Sequence, residues 1–200
     1  MDRTVIEGRR GFDELLADRK GQLDKPHYAP QVSAIVAALV RAFRGGNKVL
    51  WFGNGGSAAD AQHLAAEFSG RFLRERKGLP SEALTVNTSA VTAISNDFGY
   101  EQLFARMVEA LAKPGDVVVG ITTSGTSKNV VRGLEAAKQA GATTVAFSGN
   151  GGGPVSEVAD LSLIGPDGYS AIVQEVHITM GHIICDLVEQ ELIFAEAPGR

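Results

Sequence analysis

Residues 116–148 read DVVVGITTSGTSKNVVRGLEAAKQAGATTVAFS, and this stretch decides the fold. Residues 116–122 form a short apolar run that predicts a strand. Residues 127–140 predict a helix, and residues 143–147 predict a second strand. Two strands joined by a helix pair in parallel through a right-handed crossover. Both strands are apolar throughout, not alternating, as expected where helices cover both faces of the sheet.

The same alternation extends in both directions. Toward the N-terminus lie a predicted strand at 48–52 (KVLWF), a helix from Ser57 to position 72, a strand at 83–86, and helices near 90–95 and 100–112. Toward the C-terminus follow a short helix around Val155, a strand at 161–164, and a long amphipathic helix over 169–193. Two helices precede everything, near 11–23 and 31–43. Pro26 and Pro30 separate them, and Gly45-Gly46 stops the second. The expected fold class is α/β: a three-layer αβα sandwich with a five-stranded parallel sheet. No linker, charge block or low-complexity tract divides the chain. Residues 1–200 are therefore read as one domain, with 1–45 as an N-terminal helical extension.

Composition excludes several classes of protein. The chain has 200 residues, 44% apolar and 21% charged, which is ordinary for a globular protein and wrong for a disordered one. Its net charge of −4 argues against nucleic acid as the main partner. Cys185 is the sole cysteine, so an intrachain disulfide framework and a CxxC metal site are ruled out. One thiol and a polar start at 1–10 lead to the expectation of a reducing, cytoplasmic home. No uninterrupted apolar run approaches about 18 residues, so no membrane partner is expected. Glycine is in excess, at 24 residues, and glycine marks sharp turns or close approaches of backbone.

Eight of those glycines fall in three strand-to-helix junctions: Gly53 to Ser57, Thr122 to Ser127, and Gly149 to Pro154. Ligands of open α/β sheets bind beyond the carboxyl ends of the strands. The second junction places Thr122, Thr123, Ser124, Thr126 and Ser127 around Gly125 at a helix start. Free N–H groups and the helix dipole favour an anion such as phosphate there; the plainer alternative is a Ser/Thr-rich cap with no ligand. The nucleotide-loop spacing GxxxxGK[ST] is absent. The first junction matches GxGxx[GA], but the next strand ends without the acid that nicotinamide binding wants. The third junction reads as a structural turn. Asn96-Asp97-Phe98-Gly99 reads as a turn too, although Asp97 has the chemistry to accept sugar hydroxyls.

His63 and Glu67 are four apart and share a helix face. They suit a zinc-like ion or general base work, or simply form a surface ion pair. Gln174, Glu175, His177 and His182 lie on the apolar last helix, where a histidine is more often a hydrogen-bonded core residue. Gln174 and His182 are eight residues apart, roughly 12 Å along a helix axis. Bringing both to one ion requires a broken helix or two subunits.

These motifs together resemble those of the SIS (sugar isomerase) family, and within it the phosphoheptose isomerases. They are Gly53-Asn54-Gly55-Gly56-Ser57 with Asp60, His63 and Glu67; Ser95-Asn96-Asp97-Phe98-Gly99; Thr122 to Ser127; and Gln174-Glu175-Val176-His177 with His182. The resemblance implies isomerisation of D-sedoheptulose 7-phosphate to D-glycero-D-manno-heptose 7-phosphate through an enediol, the first step toward the heptose of lipopolysaccharide or related glycoconjugates. It implies phosphate contacts at Thr122, Thr123, Ser124 and Ser127. It implies sugar contacts at Asn54, Gly55, Gly56, Ser57, Glu67, Asn96, Asp97 and Gln174. It further implies one zinc per subunit on His63, Glu67, Gln174 and His182, with Glu67 and His182 as the acid/base pair. It also implies a homotetramer with active sites between subunits and the N-terminal helices in the assembly. Residues 169–173 depart from the resemblance, which places polar residues shortly before the Gln of the last helix. A second reading is a non-catalytic interaction protein, similar to the SIS-family factor that binds the bacterial replication initiator.

Overall fold

The computed structural model describes residues 11–194, so positions 1–10 of the expected N-terminal extension and 195–200 lie outside the described residues. The stretch that opened the sequence folds as strand β3 (Val117–Ile121), helix α6 (Lys128–Gln139) and strand β4 (Thr143–Ser148). Around it stand β1 (Val49–Gly53), β2 (Ser81–Ala83) and β5 (Leu161–Ile164). All pairings are parallel, in the order β2-β1-β3-β4-β5. Asp116 locks the lower edge: its carboxylate accepts from the Lys48 and Lys113 backbone N–H groups at 3.1 and 2.9 Å.

Helices cover both faces, which makes the predicted three-layer αβα sandwich. One face is packed by α2 (Tyr28–Arg44), α3 (Gly56–Ser69) and α8 (Ser170–Phe194), over Trp51, Phe68 and Phe147. The other is packed by α4 (Thr88–Phe98), α5 (Leu103–Leu111), α6 and α7 (Gly153–Val158), over Phe52 and Phe104. Helix α1 (Phe12–Leu23) lies against α8. A strand whose residues alternate between two apolar layers is apolar along its whole length, which is why β1 and β3 are buried at every position.

Three elements differ in their bounds from the sequence reading, and the last helix is continuous. Helix α2 begins at Tyr28, not 31, because Pro30 falls in its first turn, where no intrahelical N–H is needed. Strand β2 is earlier and shorter than 83–86. Trp51 Nε1 donates to Ser81 Oγ at 3.1 Å at the sheet edge, and Leu84–Val86 then tighten into a 3-10 turn with Leu84 buried. Helix α4 runs to Phe98, so Asn96 and Asp97 are helical and do not form a turn. Asn87 Oδ1 caps it by accepting from Ala90 N at 3.1 Å, and Gly99 at φ 83° ends it. Helix α8 is unbroken over 25 residues. By length and apolar composition it would be long enough to cross a membrane. Here it is a core helix packed between α2 and α3, with Glu189 and His177 buried in its length.

Candidate active site

Strand order reverses direction between β1 and β3, and ligands of such sheets bind at that crevice. The loops leaving these two strands are the Gly53 to Ser57 junction and the hydroxyl-rich junction. In the first, Gly56 opens α3, and a Cβ there would stand 2.5 Å from Gln174 Nε2. Glycine is what lets the α8 carboxamide lie directly on the loop. Ser57 is buried one residue further on.

In the second loop, Thr122 Oγ1 lies 2.9 Å from Ser127 Oγ and 3.4 Å from Ser124 Oγ. Ser124 Oγ accepts from the Thr126 N–H at 3.2 Å. Ser127 precedes α6 but makes no side-chain cap bond among the described residues. The capping alternative therefore does not account for the hydroxyls, and the start of α6 retains donors for an anion. Behind the loop, Gly125 (φ 70°) presses so close to the Gly152 carbonyl that a Cβ would overlap it. Val155 N donates to Gly125 O at 3.1 Å. The third glycine junction thus backs the second.

On α3, about two turns and then three turns from its start, sit His63 and Glu67. His63 Nε2 is 3.2 Å from Glu67 Oε1 and 2.8 Å from His182 Nε2 on α8. The three ligand atoms all lie within 4.8 Å of one another. The pair is therefore more than a surface ion pair. Phe72 stacks on His182, with ring centroids 5.4 Å apart. Burial, with the neighbouring His63, holds the His182 imidazole below its usual range against the pull of Glu67, so its nitrogen is a neutral lone pair near pH 7. Two imidazole nitrogens and a carboxylate oxygen at this spacing fit a tetrahedral zinc with one position left over. Gln174 is not with them. It stands two turns up the same unbroken helix, on Gly56.

Asn96 and Asp97 are exposed on the last turn of α4, with Asn96 Nδ2 donating to Asp97 Oδ1 at 2.8 Å. Thr123 Oγ1 lies 3.0 Å from Ser170 Oγ, so one residue of the 169–173 run is polar and reaches the hydroxyl loop. His177 is buried with its Nε2 2.9 Å from Ser148 O, a core histidine rather than a ligand.

Sequence reasoning assigned no role to three residues here. Asn150 staples the hydroxyl loop to the segment before α8: its Nδ2 donates to Thr123 O at 3.0 Å and its Oδ1 accepts from Gly168 N at 3.0 Å. Its positive φ of 52° is a state that Asn tolerates, which was the available signal. Asp60, one turn before His63, has its Oδ2 buried without a hydrogen-bond partner among the described residues, and burial pushes its carboxyl up to about 6. Phe72 gave no signal, because nothing local shows a loop aromatic which histidine it will cover.

A parallel sheet with a hydroxyl-lined loop at its switch point and a His/Glu cluster beside it is the frame of a sugar isomerase domain. Residues 25–149 match the SIS domain family, and the chain belongs to that family. It is an isomerase, and its relatives within the family are phosphoheptose isomerases. It is 55% identical to the phosphoheptose isomerase of Aquifex aeolicus over 82% of this chain and 85% of that one. With the phosphoheptose isomerase of Geobacter metallireducens the identity is 53%, over 96% and 99% of the two chains. Among solved structures, phosphoheptose isomerase from Neisseria gonorrhoeae superposes with a TM-score of 0.80 at 36% identity, covering 89% of this chain and 99% of that one. That from Francisella tularensis gives 0.82 at 32% identity, covering 91% and 100%.

Proposed function

We propose that the chain converts D-sedoheptulose 7-phosphate to D-glycero-D-manno-heptose 7-phosphate, a first step toward the heptose of lipopolysaccharide or related glycoconjugates. The observation that carries this is the convergence of His182, from α8, on His63 and Glu67 of α3, the helix that opens at the first glycine junction. The names of the relatives supply the substrate class.

Turning a 2-ketose into an aldose takes a proton from C1 and returns one at C2, through an enediol. Glu67 takes the proton from C1, and His182 takes up a proton before it returns one at C2. Thr122, Thr123, Ser124, Ser127 and the start of α6 hold the phosphate remote from the reacting carbons, which fixes orientation. Asn54, Gly55, Gly56, Ser57, Asn96, Asp97 and Gln174 meet the sugar. A zinc held by His63, Glu67 and His182 would polarise the carbonyl. Gln174 joins that ion only from a second protomer, since α8 separates it from His182 by roughly 12 Å in its own chain. That geometry supports an oligomer with active sites between subunits, and the resemblance to phosphoheptose isomerases makes it a homotetramer. The sugar phosphate substrate and the buried free thiol of Cys185 support a cytoplasmic enzyme.

Purified protein is expected to turn over sedoheptulose 7-phosphate faster than 5- and 6-carbon ketose phosphates. Glu67→Gln should lower kcat by about 10³-fold, the scale of a lost general base, with folding intact. Full activity of that variant refutes the base. Elemental analysis of protein purified without chelator should find zinc; a metal-free preparation with full activity removes the ion from the chemistry.

A further inference from the structure

Two residues hydrogen-bonded to Asn54 at the crevice, Asn129 and Tyr100, have no part in the reading above. Asn129, buried in the first turn of α6, faces Asn54 across the β1/β3 switch point. Asn54 Nδ2 donates to Asn129 Oδ1 at 2.9 Å, and Asn129 Nδ2 donates back to Asn54 Oδ1 at 2.8 Å. The Tyr100 hydroxyl also donates to Asn54 Oδ1, at 2.7 Å. A carboxamide has two acceptor sites and two N–H donors. Asn54 Oδ1 has used both acceptor sites and Nδ2 one donor. A single N–H is left, with no described residue taking it.

Tyr100 is itself held. It sits in a 3-10 turn (Tyr100–Gln102) between α4, which carries Asn96 and Asp97, and α5. The next residue, Glu101, pairs with Lys128 at 3.1 Å and with Arg132 at 2.9 Å, both on α6. The turn after α4 is therefore tied to α6 by charge and to the first glycine junction by the tyrosine hydroxyl. A free asparagine at position 54 would rotate and offer either face of its amide. This one is fixed from two sides, by the helix that begins at the anion loop and by the turn that follows Asn96 and Asp97.

We infer that Asn129 and Tyr100 are positioning residues for the isomerisation: they lock the Asn54 carboxamide so that its one unspent N–H donates to an oxygen of the sugar. The inference rests on the sugar-phosphate isomerase reading of the site. The lock joins the phosphate loop to the sugar loop, so seating the phosphate on α6 also sets where the sugar meets Asn54.

The test is steady-state kinetics of the full chain as wild type, Asn129→Ala, Tyr100→Phe, Asn54→Ala and the Tyr100→Phe/Asn54→Ala double variant. The substrate is whichever ketose phosphate the wild type turns over fastest, and inorganic phosphate serves as the competitive inhibitor. Loss of hydrogen bonds that orient a contact at the reacting end should lower kcat about tenfold in Asn129→Ala and about threefold in Tyr100→Phe. KM should change by less than about twofold, because the phosphate remains the main anchor. The Ki for phosphate should match the wild type. Tyr100→Phe should cost nothing further once Asn54 is alanine. Tyr100 is half exposed, so its variant folds even if Asn129→Ala does not. Wild-type kcat in Tyr100→Phe overturns the inference. So does a loss that persists in the Asn54→Ala background, or a Ki for phosphate that rises in step with the fall in kcat. Failure of the wild type on sedoheptulose 7-phosphate counts against the proposed substrate instead, and the variants then judge the lock on the ketose phosphate that is used.

Discussion

His177 and His182 lie little more than one turn apart on α8, and their surroundings give them opposite tasks. His182 is partly exposed and meets His63 and Glu67. His177 is sealed between Ser148 and Phe147, and burial pushes it down to about 4 from 6.5. Its Nε2–H donates to the Ser148 carbonyl, and Nδ1 has no partner among the described residues. The sign of the pH effect follows. Between about pH 4 and 6.5 the unfolded histidine holds a proton that the folded one refuses, so stability is complete above 6.5 and is lost as pH falls toward 4. The shift is worth about 3 kcal/mol at most, or about 10 °C in Tm for a chain this long. Asp60, raised to about 6, acts with the opposite sign in the same window. The informative quantity is therefore the difference from His177→Gln, which keeps a donor for Ser148. Thermal unfolding from pH 7 to 5 should show a smaller fall in Tm for the variant than for the wild type. Equal slopes would mean His177 titrates normally.

At the scale of elements, the His63, Glu67 and His182 cluster depends on how the segment after α3 is fastened to α8. Glu189 is fully buried, and its carboxylate accepts from the N–H groups of Phe72, Leu73 and Arg74 at 2.8, 3.0 and 3.0 Å. Arg76 Nε donates to the same carboxylate at 2.9 Å, while its other nitrogens donate to the carbonyls of Glu67 and Phe68 at 2.7 and 2.8 Å. One arginine thus closes the end of α3 and neutralises a buried charge on α8, which holds Phe72 over His182. Arg76→Met removes the cation hydrogen-bonded to that buried charge, leaving only Arg74 Nη1 at 3.8 Å, and should cost about 3 kcal/mol in urea unfolding, the scale for breaking a buried pair. Arg74→Met, whose partner Asp186 is partly exposed and which stands farther from Glu189 than Arg76 does, should cost under about 1 kcal/mol. Equal losses would place the fastening elsewhere. None of this was legible in the chain, because Arg76 and Glu189 sit in a polar loop and a late helix, and only the fold brings them together. What local chemistry does write is legible. KVLWF and DVVVGIT show apolar burial on two faces, and His63 with Glu67 shows a shared helix face. The strand near position 83 shifted because an edge strand is set by its one neighbour and not by its own pattern. Asn96 and Asp97 looked like a turn because the cap at Asn87 and the packing of Val91 and Ile94, which carry α4 onward, act at a distance.

For the whole molecule, the apolar surface left over points to further copies of the chain. No residue of α1 is buried among the described residues, and Phe12 is 76% exposed on the same helix as the exposed Leu16 and Leu23. Ile183, next to His182, is exposed too, and so are Leu73 and Phe194. An apolar helix face and an apolar ridge beside the His63, Glu67 and His182 cluster are surfaces that association covers at a gain of about 25 cal/mol per Å². With Gln174 roughly 12 Å from His182 on one straight helix, the proposed ligand set also closes only across subunits. For the homotetramer proposed above, light scattering of the purified protein should give about four times 21.0 kDa. Phe12→Glu combined with Leu16→Glu should lower that mass and lower turnover with it, because dissociation removes Gln174 from the neighbouring site while His63, Glu67 and His182 stay together. A dissociated chain that retained wild-type kcat would show that the three residues of one protomer suffice, and Gln174 would then serve the first glycine junction of its own chain, where it already lies on Gly56.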